Sequence, residues 1–94
     1  MNKKSFQQQL KHLRKIIDQC DQQIIKALAK RMKIVKKVGK LKKQHHIPSL
    51  DPKRWQHVVK TRKMLGKHLG LNSNLVEEIW EILHKEALSI EEKV

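Results

Sequence analysis

Tyrosine is absent from this 94-residue chain, phenylalanine and cysteine occur once each, proline twice and glycine three times. So little Gly and Pro, with almost no alternation of β-branched or aromatic residues, argues against sheets with their turns and for helices throughout. One cysteine cannot form an intrachain disulfide, and Cys20 is expected to be a buried, reduced core residue. No stretch approaches 18 consecutive apolar residues, and the start, Met1 to Gln9, lacks an apolar signal region, so neither a membrane span nor a secretory leader is expected and the default compartment is the cytoplasm. Six histidines are present, including the adjacent His45 and His46, but none has a partner at a ligand spacing such as a Glu-flanked i, i+4 pair, and no metal is expected.

Acidic residues are scarce as well. Net charge is +13, with 20 Lys or Arg against three Asp in residues 1–70 and two Lys against six Glu in residues 71–94. Such a surplus attracts anions, so a basic nucleic-acid-binding helical protein is the rival from another class. Only four of the 22 basic residues are arginine, the bidentate kind, and the aromatics that would stack on bases are nearly missing, which weighs against nucleic acid.

What is present is a long seam. Leu10, Ile17, Ile24, Arg31, Val38 and, in the second register, Leu13, Cys20, Ala27, Ile34, Leu41 repeat every seven residues, the pattern of one long helix packing on others. The exception is Arg31: a guanidinium on an apolar seam costs several kcal/mol unless an anion completes the site. Arg14 and Lys42 project from roughly the same side, on the order of 25 and 16 Å from Arg31 at 1.5 Å per residue. No small anion bridges 25 Å, so if Arg14 and Arg31 serve one site they come from different copies of the helix.

The first helix is expected over about 6–43, roughly 57 Å long, against a radius of gyration near 12 Å for a compact monomer of this length. A homodimer is the economical solution. Asp51-Pro52 reads as an N-cap followed by proline at N1, opening a helix over 51–67 with Trp55, Val58, Val59, Arg62 and Leu65 on one side; Gly70 is its stop. Asn72, Ser73 and Asn74 offer caps for a third helix over 73–92, with Leu75, Val76, Ile79, Ile82, Leu83 and Ala87 at helical spacing. The expected fold is all-α, a single domain over 1–94 with three helices, one long and two shorter. Trp55 and Trp80 are read as packing residues.

Arg14, Arg31, Lys42 and Arg54, with Asp51 three residues before the last, form an ordered set. Leu13-Arg14 followed by Ile17 and Asp21, then Leu28 to Arg31, Val38-Gly39-Lys40-Leu41-Lys42, and Pro48 to Arg54 together resemble the all-helical (AroQ-class) chorismate mutases, over about Leu10 to Glu91. The resemblance implies an intertwined homodimeric helical bundle, without cofactor, converting chorismate to prephenate. It implies that a small dicarboxylate is gripped by Arg14 of one copy and by Arg31, Lys42 and Arg54 of the other, with Asp51, Trp55, Ala87 and Glu91 completing the substrate site. Among these, Arg31, Lys42 and Glu91 would act on the reacting atoms.

Three positions depart from the family pattern. Glu91 aligns where Gln is usual and Glu occurs in some members; a carboxylate there must carry a proton to donate, so activity is expected to fall as pH rises. Trp55 stands where a Glu usually contacts the ring hydroxyl, and indole offers one N–H donor and no acceptor. Ala87 stands in place of a small polar residue. These changes keep two related activities open, an isochorismate-pyruvate lyase and an aminodeoxychorismate mutase. The five residues from Ser49 to Lys53, between the loop proline and Arg54, favour the mutase over the lyase.

Overall fold

The computed structural model describes residues 3–94, with side chains from residue 5, so the first two residues of the leader stretch and of the expected 1–94 domain lie outside it. Three helices follow one another: α1 (Lys3–Gln44), α2 (Pro52–His68) and α3 (Ser73–Glu92), with no strand among the described residues. They fall into two compact units, one ending at Arg31 and one covering Met32–Val94.

The unit that ends at Arg31 contains only the first part of helix α1. A single helix cannot bury its own seam, and the seam is bare: Leu13 is 56% exposed, Ile17 and Ile24 57% each. Cys20, expected in a core, is exposed for the same reason.

Within Met32–Val94 the core is small and lies on α2 and α3. Val58, Val76, Leu83 and Ala87 are the buried apolar side chains. Leu65, expected on the inner side of α2, is 57% exposed, as are the seam positions Ile34, Val38 and Leu41 at the end of α1 in good part. A Lys63–Glu77 ion pair of 3.1 Å ties α2 to α3 at the surface.

Each short helix starts as its sequence dictates. The Asp51 carboxylate accepts from the Arg54 N–H at 3.1 Å with Pro52 next in line, and Asn72 accepts from the Asn74 N–H at 2.8 Å. At the end of α2 the Leu71 N–H donates to the Gly66 carbonyl at 2.8 Å and the Gly70 N–H to Lys67 at 3.1 Å, while Gly70 takes φ 85°. This is the Schellman arrangement, and a glycine suits its left-handed residue.

The end of α1 uses the same arrangement without a glycine. Ile47 N–H donates to the Lys42 carbonyl at 2.8 Å, His46 N–H to Lys43 at 3.2 Å, and His46 itself takes φ 56°. A side chain in the left-handed region costs about 1 kcal/mol. His46→Gly is therefore expected to raise thermal stability by up to that amount, the gain being reduced by the greater freedom of glycine in the unfolded chain. A melting curve in which His46→Gly unfolds at a lower temperature than the wild type would contradict this.

Candidate active site

The turn that His46 closes has a consequence for Lys42, two residues from the end of α1. The chain doubles back so that the Ser49 carbonyl accepts from Lys42 Nζ at 2.7 Å. From the opposite side α3 presents Glu91, whose Oε1 lies 2.8 Å from the same ammonium. The Lys42 and Glu91 side chains are only 20% and 9% exposed, so this is an ion pair largely withdrawn from water. In such surroundings charge interactions are less screened, and a cation held by two acceptors has a fixed position.

α1 and α3 approach very closely at this point. Gly39, one turn before Lys42, is buried, and a Cβ placed on it would come within 2.8 Å of the Glu91 Cα. A second tie follows one residue beyond Lys42, where Lys43 Nζ donates to the Val94 carbonyl oxygen at 2.8 Å.

The first turn of α2 brings the next group. Asp51 and Arg54 are exposed, and Asp51 is engaged as the helix cap. Trp55, half-buried, stacks on His84 of α3 with ring centroids 4.0 Å apart and planes 13° from parallel, a packing role as expected, directed onto a residue that sequence reasoning had not picked out. Trp55, Glu81, Ile82, His84 and Lys85 line a groove of about 350 Å³. His84, Ala87 and Glu91 follow one another at three and four residues, so they share one side of α3. Ala87 is buried.

In the other unit Arg14 is exposed, beside a groove lined by Phe6, Gln7, Gln8, Leu10, Lys11, Lys15 and Asp18, and Arg31 is half-buried with its Nη1 withdrawn from solvent. Of the eight expected site residues, then, the structure brings Lys42 and Glu91 into contact, and joins Asp51 to Arg54 through the cap. The Ser49 carbonyl, His84 and Gly39 are additions. Only Gly39 had a signal in the sequence, a poor helix former in the interior of a long helix. Among the described residues no group of three His, Cys, Asp or Glu could hold a metal, and no helix is long and apolar enough to cross a membrane.

Comparison with known proteins supplies the context. The sequence profile of chorismate mutase type II matches residues 13–92. The chain is 34% identical over 83 residues to the chorismate mutase of Methanocaldococcus jannaschii, covering 86% of this chain and 84% of that protein. It is 33% identical over 87 residues to the T-protein of Haemophilus influenzae, covering 93% of this chain and 23% of that protein. A bifunctional chorismate mutase/prephenate dehydratase of Aquifex aeolicus is 28% identical over 90 residues, or 25% of its length. The chain thus spans about a quarter of these two larger relatives and most of the archaeal one.

Proposed function

This chain belongs to the chorismate mutase type II family, and on that premise we propose that it rearranges chorismate to prephenate. The reaction is a Claisen rearrangement: the ether C–O bond breaks as a C–C bond forms, within one molecule, and no proton or electron is exchanged with the protein. What a protein can contribute is to hold the folded, reactive conformer and to stabilise negative charge growing on the ether oxygen. The observation that carries the reading is the Lys42 ammonium, largely buried, fixed by the Ser49 carbonyl and 2.8 Å from Glu91. A cation held before the substrate arrives needs no reorganisation as the charge develops, and an interaction that strengthens toward the transition state raises turnover.

Arg31 and Arg54, with Arg14 from a second copy, grip the two carboxylates, and Asp51, Trp55 and Ala87 complete the binding surface. A homodimer is supported by the bare apolar seam of α1, where Leu13, Ile17, Ile24, Ile34 and Leu41 are each at least half exposed in the single chain. So much apolar surface on one face calls for a partner. No cofactor is required, and the cytoplasm is the proposed compartment.

The test is the loss of chorismate absorbance with identification of the product, and prephenate is expected. Salicylate with pyruvate as products, or no consumption of chorismate, would overturn the reading.

A further inference from the structure

We propose that Gly39 is a positioning residue for the reaction: its missing side chain sets the distance at which Glu91 faces Lys42. The inference rests on the chorismate mutase reading of the same site. Gly39 is buried in the interior of α1, where glycine is among the poorest helix formers, so its presence there needs a local cause. The cause lies directly opposite. A Cβ on Gly39 would stand 2.8 Å from the Glu91 Cα, 3.0 Å from its Cγ and 3.1 Å from its Cβ.

All three distances are to the residue whose carboxylate meets Lys42. Carbon atoms in contact settle at about 3.5–4.0 Å, so even a methyl group drives the Glu91 backbone back by about 0.7 Å or more. A flexible side-chain tip could swing aside, but the nearest atom here is backbone. Lys42 lies three residues after Gly39, on the same side of α1, and is anchored independently by the Ser49 carbonyl at 2.7 Å. The ammonium therefore stays while the carboxyl retreats, and the 2.8 Å pair opens.

A displacement of that size at a reacting group lowers turnover far more than it weakens binding. Gly39→Ala is expected to lower kcat by about 10-fold to 100-fold while KM changes by no more than about 2-fold. The decisive measurement is a double-mutant cycle with Glu91→Ala. If Gly39 acts through Glu91, adding Gly39→Ala to Glu91→Ala lowers kcat no further, whereas independent effects multiply.

Helical circular dichroism and melting temperature are followed for all four proteins. Should Gly39→Ala unfold in plain buffer, the cycle is run in an osmolyte such as trimethylamine N-oxide, which favours the folded state. A variant that stays unfolded there, a fall in kcat that multiplies with that of Glu91→Ala, or a Gly39→Ala enzyme of wild-type kcat overturns the proposal. If the wild type itself leaves chorismate unchanged, it is the function that fails; if the wild type is active and the cycle multiplies, only the role of Gly39 fails.

Discussion

Arg31→Ala is expected to lower kcat/KM for chorismate by about 10²-fold to 10⁴-fold while helical content and assembly remain those of the wild type. The guanidinium is the one charge on a seam of leucine, isoleucine, valine and alanine, it is half-buried, and its Nη1 is withdrawn from solvent. Bound there, a substrate carboxylate exchanges water for a charge-assisted fork, and removing the fork leaves that carboxylate desolvated and uncompensated, which costs about 3–5 kcal/mol. Folding is expected to depend on it less, because replacing a half-buried charge on an apolar seam by a methyl group also removes a desolvation cost. Arg31→Lys is not expected to restore the rate, since an ammonium cannot reproduce the planar two-point contact. Steady-state kinetics beside circular dichroism and sedimentation checks both halves, and an Arg31→Ala enzyme within about 3-fold of the wild type would remove Arg31 from the site.

The Lys42→Met enzyme is expected to lose about 10²-fold to 10³-fold in kcat with a smaller change in KM, the signature of a group that acts mainly in the transition state. Methionine keeps the length of the side chain and removes the charge, so the loss reads the ammonium rather than the packing. The same substitution leaves Glu91, whose side chain is 9% exposed, without the cation 2.8 Å away. An unpaired buried carboxylate destabilises, by a few kcal/mol in well-buried cases. Combining Lys42→Met with Glu91→Gln is therefore expected to recover melting temperature but not turnover. Recovery of both would show that Lys42 matters for the fold rather than for the reaction, and recovery of neither would show that Glu91 is not the partner whose charge is stranded.

Much of the architecture is legible without coordinates because it rests on local chemistry. The expected boundaries 6–43, 51–67 and 73–92 lie within three residues of the observed helices. Asp51-Pro52 and Asn72 each carry their own capping signal within three residues of chain, and Gly70 its own turn conformation. The end of α1 gives no such signal: His46 takes the left-handed place where glycine would announce the stop, and a pair of histidines in a loop suggests metal chemistry sooner than a helix terminus. Cys20 and Leu65, expected on buried faces, are exposed in the single chain for a related reason. Periodicity marks the side of a helix that wants burial, and says nothing of whether the element that buries it belongs to the same unit.

The candidate site divides along the same line. Arg14, Arg31, Lys42, Asp51 and Arg54 could be read as a set because their spacing along the chain is itself the pattern, and Glu91 because the pattern extends into the last helix. What spacing could not supply is the contact between α1 and α3, 49 residues apart at Lys42 and Glu91. By itself the sequence determined three helices, their caps and an ordered row of cations, since each depends on neighbours within a few turns of one helix. Only the tertiary structure decided that Ser49 turns its carbonyl onto Lys42, that Trp55 lies flat on His84 and that Gly39 leaves the space in which Glu91 packs against α1. Those facts depend on where separate helices meet, and that is set by the fit of side-chain volumes across an interface, a quantity that no single stretch of sequence contains.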